Sequence, residues 1–426
     1  MLTQLLVALA LAGTQAAGQA AAPPQAEAGG RLTLDEAVSE ALRRNPDLLV
    51  EREQVSLADT RRTTAGLRPN PLLSTSLDHL DLAGTGFSEQ NGGGPAELSL
   101  RADMDWLQGG KRRRRLDVAD RERELARLQV ADRTRRLAFE VRSAFVDLLL
   151  AQRTARLTEE NLASFAKVTD ISAARVASGD LAEVELMRTR VALRQLENAA
   201  QQAVLERRLA QSRLRQLLGR PASAGLEALG EFAAPPGSAL PGAEDLVQQA
   251  LARRPDLQAA IADEQRSRAE LRLQQALARP DYSVGAEYRR QQGVNGKSNS
   301  LGFFISTPLP FFDRNQGEVA RAAVEARQSG LRMEAARAAV RAEVEEAWQQ
   351  HRTAVALLQR IERDMLGDAR DVRAITEYAY HRGEASLVEL LDAQRAFNDT
   401  MESHIGAQAG VARSLYFLDA VCGKAD

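Results

Sequence analysis

The chain has 426 residues, with 56 Lys and Arg against 58 Asp and Glu and a formal net charge of -2. That balance argues against a general nucleic-acid binder, which carries a basic excess, and 44% hydrophobic residues are too many for a disordered chain. The single cysteine, Cys422, excludes an intrachain disulfide framework and a cysteine-based zinc site.

The N-terminus opens on the apolar run Leu5–Ala12, followed by small residues and Ala20-Ala-Ala-Pro-Pro24. A short apolar core before a small-residue cleavage site reads as a secretory signal over residues 1–22, although no Lys or Arg precedes the core. No Cys follows it, so a lipid anchor on the mature N-terminus is not expected. Leu5–Ala12 is also the longest apolar run of the chain and too short for a membrane-spanning helix. Strands of a membrane β-barrel, which need about 10 alternating residues each, remain open.

Beyond the signal the sequence is internally duplicated. Leu34-Asp-Glu-Ala-Val-Ser-Glu-Ala-Leu-Arg-Arg-Asn-Pro-Asp-Leu48 aligns with Ala243-Glu-Asp-Leu-Val-Gln-Gln-Ala-Leu-Ala-Arg-Arg-Pro-Asp-Leu257, and Gly179 with Val184-Glu185-Leu186 aligns with Gly383 and Val388-Glu389-Leu390. The two copies are offset by about 205 residues. The first repeat spans 31–220 and the second 243–423, joined by a linker at 221–242 that is rich in Pro, Gly and Ala over Ala233–Gly242.

Each repeat breaks its helical pattern once. In the first, residues 72–108, Leu73, Thr75 and Leu77 alternate with polar residues, as do Leu98, Leu100, Ala102, Met104 and Trp106 beyond a Gly-rich stretch. In the second, residues 281–312, the apolar positions are Tyr282, Val284, Ala286 and Tyr288, then Leu301, Phe303 and Ile305 beyond Gln292–Ser298. Period two with one polar face predicts a β-hairpin with a long tip loop in each window. Eight of the 18 aromatics fall here: Phe87, Trp106, Tyr282, Tyr288, Phe303, Phe304, Phe311 and Phe312. Aromatics at strand ends suit a membrane interface.

After each window a 4,3,4,3 spacing sets in. It runs through Leu137, Val141, Ala144, Leu148 and Ala151 to Val176, and through Val340, Val344, Ala347, His351 and Ala354 to Ala379, in one heptad register for more than five heptads. Shorter heptad sets follow, Leu186 to Leu217 and Leu390 to Val421. Heptads predict coiled-coil packing with a left-handed supercoil. Gly179 and Gly383 sit where the chain turns between the long and the short helix. The 65 residues from Arg112 to Val176 would reach about 98 Å at about 1.5 Å per residue.

No catalytic, cofactor or metal constellation stands out. His79, His351, His381 and His404 are not paired at ligand spacing. Gly296-Lys297-Ser298 ends like a phosphate-binding loop, but Gln291 stands where the first glycine belongs and no helix is expected next. The chain reads as a non-enzyme. Lys111-Arg-Arg-Arg-Arg115 is a dense basic run at a strand–helix junction, equally a solvated helix start or a place for anionic headgroups.

The order of helix, hairpin, long helix and short helix, repeated after a signal, resembles the TolC family of outer-membrane efflux ducts. Leu34-Asp-Glu-Ala, Asn45-Pro46, Pro308-Leu-Pro-Phe-Phe-Asp-Arg-Asn-Gln-Gly317 and Arg382-Gly-Glu-Ala-Ser-Leu-Val-Glu-Leu-Leu-Asp-Ala-Gln394 carry the likeness, and Asp313-Arg-Asn-Gln-Gly317 is similar to its CzcC-like and CusC-like heavy-metal branch. The resemblance implies a mainly α-helical chain with a β part. Three copies would share one twelve-stranded outer-membrane barrel above a periplasmic α-helical tunnel. It implies a homotrimer among outer-membrane lipid, partnered by a periplasmic adaptor and an inner-membrane resistance-nodulation-division pump, with no nucleic acid and no cofactor. The expected function is a passive export conduit for heavy-metal cations. Export of drugs or organic toxicants, protein secretion, or a coiled-coil scaffold are the alternatives. The resemblance also places a closing ring at the periplasmic tip, made of Glu389 and Asp392 with Tyr380 as its lock and Gly383 as its turn. The first repeat offers Glu185 but Arg188 at the second position, so the ring is expected from one repeat only.

Overall fold

A computed structural model of the chain describes residues 30–80, 96–232, 241–293 and 296–424. The signal segment and Phe87 lie outside these residues. The first repeat starts with β1 (Arg31–Leu32), α1 (Leu34–Arg44) and α2 (Pro46–Gly66). Thr33 and Glu36 form a reciprocal capping box that starts α1. Asn45 and Pro46 then break the chain and restart it: the Asn45 carboxamide accepts from the Leu48 N–H at 3.0 Å and Pro46 occupies the first helical turn, where its missing N–H costs nothing.

The first hairpin follows as β2 (Leu72–Asp78) and β3 (Glu97–Trp106), then the 67-residue helix α3 (Lys111–Ala177), about 100 Å long. Helix α4 (Glu183–Leu218) returns along it. The chain crosses through β4 (Glu227–Ala228) to α5 (Ala243–Arg253), α6 (Pro255–Leu277), the hairpin β5 (Tyr282–Gly293) and β6 (Gly296–Ser306), α7 (Gln316–Asp364), α8 (Leu366–Arg382) and α9 (Leu387–Val421). Helices α2 and α4 pack on α3, α6 packs on both α3 and α7, and α9 packs on both α3 and α7. The helices thus form one layer, with α2 and α4 at one edge and α7 and α8 at the other.

Three sequence expectations change. The 221–242 linker is partly structured, because β4 pairs in parallel with β1 and carries Leu226 and Ala228 into the core around Leu137, Val141 and Leu148. The second hairpin has no long tip loop, since β5 and β6 stay paired out to Gly293 and Gly296; Gln292 and Lys297 face each other in the ladder. The heptad register of the second repeat also fails. Val340, Val344, Ala347, His351, Leu358 and Ile361 are buried as predicted, but Met365, Asp368, Val372 and Ile375 are exposed. The inward positions become Leu366, Ala369, Arg373, Thr376 and Tyr380, the same spacing moved by one residue. One extra residue puts the seam out of phase, and the helix answers by breaking at Met365, where φ and ψ are -125 and -39.

Where the first repeat buries Leu148, the second buries His351. Its Nδ1 lies 2.9 Å from Ser414 Oγ, which itself donates to the Val411 carbonyl, so Nδ1 carries the hydrogen and donates to the serine oxygen. Burial pushes its pKa down.

Both repeats close on a left-handed glycine at the end of the short helix, Gly219 with φ +68 and Gly423 with φ +82. A Cβ at Gly219 would stand 2.8 Å from the Arg44 carbonyl oxygen at the α1–α2 corner, a backbone neighbour that cannot swing away. Gly219→Ala should lower stability by about 1–2 kcal/mol from the backbone conformation alone, with the overlap adding to it. The thermal midpoint of the helical circular-dichroism signal checks this.

The four long strands form one antiparallel sheet in the order β2-β3-β5-β6. The register puts Leu73, Leu100, Met104, Trp106, Tyr282, Val284, Tyr288, Phe303 and Ile305 on one face. All of them are exposed; Phe303 is 80% and Ile305 77% accessible. The other face carries Arg101, Asp103, Glu287 and Arg289 in ion pairs. Among the described residues the outer edges of β2 and β6 are unpaired.

Candidate functional site

The site residues gather at the tip of the helical hairpins, far along α3 from the sheet. Gly179 and Gly383 both adopt left-handed φ, +84 and +78. Around each the chain makes the same pair of bonds: Gly179 N–H to Val176 O with Asp180 N–H to Arg175 O, and Gly383 N–H to Tyr380 O with Glu384 N–H to Ala379 O. This is the Schellman closure expected of a helix ending on glycine, and it makes the two turns structural equivalents.

Tyr380 is 2% exposed and packs with Val168, Leu387 and Leu390. Its hydroxyl lies 3.1 Å from Ser172 Oγ on α3, and the Arg175 guanidinium stands over its ring at 5.8 Å. The tyrosine therefore ties the second repeat's turn to the first repeat's long helix. Sequence reasoning missed Ser172 and Arg175 as its neighbours. Ser172 is on the heptad seam, but nothing local announces a partner 208 residues away.

Glu389 and Asp392 lie one turn apart on the exposed face of α9, opposite Leu387 and Leu390. Glu389 also caps its own helix. Its carboxylate accepts from the Ser386 N–H at 2.7 Å and from the Ser386 hydroxyl at 2.9 Å, completing a capping box that starts α9. The Ser-x-x-Glu spacing before an apolar run was the available signal. These bonds, the backbone one first, hold the Glu389 pKa below the usual carboxylate range. Asp392 is 3.9 Å from Arg395 with both side chains mostly exposed, a pairing too weak to neutralise it. In the first repeat Glu185 meets Arg188 at 2.9 Å, so the equivalent acid is compensated. The chain thus brings Tyr380, Glu389 and Asp392 to one tip, the first as an internal tie and the other two as exposed surface charge. Among the described residues no group of three or more His, Cys, Asp or Glu is arranged to hold a metal ion, and no helix is long and apolar enough to cross a membrane.

The outer membrane efflux protein family model matches residues 37–220 and 246–424, one match on each repeat. The chain belongs to the outer membrane efflux protein family. This efflux protein is 26% identical over 398 residues to the cobalt-zinc-cadmium resistance protein CzcC of Cupriavidus metallidurans, covering 93% of this chain and 91% of that one. Its fold matches the outer-membrane channel OprN with a TM-score of 0.76 at 19% identity, covering 92% of this chain and 89% of that one. It matches CusC with a TM-score of 0.75 at 18% identity, covering 92% of both chains. The mainly helical architecture with its repeated hairpins is therefore that of the TolC-like channels. Family and fold are those of channel proteins rather than enzymes.

Proposed function

We propose that this efflux protein is the outer-membrane duct of a tripartite export assembly, in which three copies close one barrel and one helical tunnel. The observation that carries this reading is the bare sheet: a continuous apolar face with two unpaired edges. Exposed apolar faces of that extent are covered by a partner or by lipid, and unpaired edges recruit further strands. Four strands cannot close a barrel, whereas three sets of four can. The helical layer asks for the same assembly. Val191, Leu205 and Leu209 stand exposed on α4 at one edge, and Leu331, Leu357 and Ile375 on α7 and α8 at the other. Head-to-tail contact of the two edges closes into a ring.

In this reading the polar sheet face lines the pore, the helices enclose a periplasmic tunnel, and the tip meets a periplasmic adaptor and an inner-membrane pump of the resistance-nodulation-division type. The cargo is heavy-metal cations, supported by the likeness to CzcC across nearly the whole chain. As a passive conduit the duct needs no resident metal site. A deletion strain should become sensitive to cobalt, zinc or cadmium, and the protein should be recovered from the outer membrane as heat-modifiable oligomers. Sensitivity to detergents or antibiotics with unchanged metal tolerance would assign the duct to organic toxicants instead.

A further inference from the structure

The basic run at the start of α3 is not one unit. Lys111 turns inward: its side chain is 7% exposed and its ammonium donates to Asp281 at 2.8 Å and to the Arg279 carbonyl at 2.6 Å. Arg112, Arg113 and Arg114 face outward. Arg112 donates only to the Gly66 carbonyl, and among the described residues none of the three has a carboxylate partner. Over Leu116–Ala177 of the same helix, 11 Arg and Lys stand against 10 Asp and Glu, several of them in ion pairs such as Arg123 with Asp59 at 2.6 Å and Arg156 with Glu160 at 3.0 Å. The net positive charge of α3 is thus concentrated at the end that adjoins the sheet. At that same end, between β6 and α7, Leu309, Phe311 and Phe312 are 67%, 69% and 93% exposed. The exposed Arg314 follows them, and it too has no carboxylate partner among the described residues.

Exposed apolar side chains beside uncompensated arginines, at the rim of a bare apolar sheet, form a surface that is half greasy and half cationic. We propose that this rim is a docking surface for the anionic phospholipid headgroups of the leaflet bordering the helices. The aromatic residues enter the acyl boundary and Arg113, Arg114 and Arg314 meet the phosphates. Charge complementarity selects the occupant: a protein partner would need an acidic apolar face, but the rim continues into the sheet face that lipid is to cover. The inference rests on the membrane reading of the sheet.

The test uses the full-length protein in nanodiscs of phosphatidylcholine alone or of three parts phosphatidylcholine to one part phosphatidylglycerol, scoring retained lipid by native mass spectrometry and stability by the thermal midpoint. Wild type should retain phosphatidylglycerol preferentially and melt higher in its presence. Arg113→Gln with Arg114→Gln and Arg314→Gln should weaken that preference on the order of tenfold or more and lose the added stability, while lysine at the same three positions keeps both. Equal retention of the two lipids by wild type, or an unchanged preference in the glutamine variant, overturns the proposal. So does an equal stabilisation by inorganic phosphate in detergent, which would make the rim a site for a soluble anion. Fractionation of the same strains separates the two readings: absence from the outer membrane removes the membrane reading and this one with it, whereas outer-membrane recovery without lipid preference removes this one alone.

Discussion

A Lys111→Met variant should unfold at a markedly lower temperature than wild type. Lys111 is the one basic residue of its run that is buried, and its ammonium closes a junction between the repeats. It holds Asp281 Oδ2 at 2.8 Å and the Arg279 carbonyl at 2.6 Å, while Asp281 Oδ1 accepts from the Gln108 N–H at 2.7 Å. Removing it leaves a carboxylate without its counter-charge where the β3–α3 turn meets the α6–β5 corner. Breaking a buried ion pair costs about 3–5 kcal/mol, and the 30% exposure of Asp281 puts this case near the lower end. Adding Asp281→Leu removes the stranded charge and should recover part of the loss, because an apolar pair of similar volume is often tolerated. A thermal midpoint for Lys111→Met no different from wild type would show that the junction does not depend on the pair.

Neutralising the tip should abolish charge selectivity without harming the fold. The suitable variant is Glu389→Gln with Asp392→Asn, since glutamine keeps the acceptor that caps α9 and only the charge is lost. In planar bilayers wild type should pass cations in preference to anions and be blocked by a trivalent cation from the periplasmic side. The double variant should lose the block, and its cation preference should fall on the order of tenfold. Glu389→Ala would confound the result, because it also removes the cap. The pH dependence has a definite sign. The Ser386 N–H and hydroxyl lower the Glu389 pKa, so the charge is present above that value and is lost as the pH falls through it. Selectivity should survive mild acidification and disappear only in stronger acid. An unchanged trivalent block in the neutral variant would remove these residues from the gate.

The tip shows how far a sequence carries a site. Gly179 and Gly383 were legible because a helix that must reverse in a few residues needs a left-handed position, and glycine takes it without strain. Glu389 and Asp392 were legible as neighbours on one helix face, since three residues make nearly one turn. That Glu389 also caps its helix was present in the Ser386-x-x-Glu389 spacing. The partner of Tyr380 was not legible. Ser172 is on the seam of α3, and only the packing of one repeat's turn on the other's long helix brings the two hydroxyls together.

Periodicity and duplication determined most of the rest. Alternation marked the strands and their apolar face, because side chains on a strand point to opposite sides at every step. The heptads marked which faces of α3, α4, α7 and α9 are buried, down to Ile361. Beyond that residue of α7 the single register read from the sequence is one residue out of phase with the inward positions of α8. The observed register is the one that buries Tyr380 against Val168 and Leu390. The order of the sheet was likewise decided only by tertiary structure. The two hairpins join through β3 and β5, with Trp106 opposite Tyr282. A pairing between residues so distant in sequence has no local signature, and the packing of α3 on α6, locked by Lys111 and Asp281, is what sets its register.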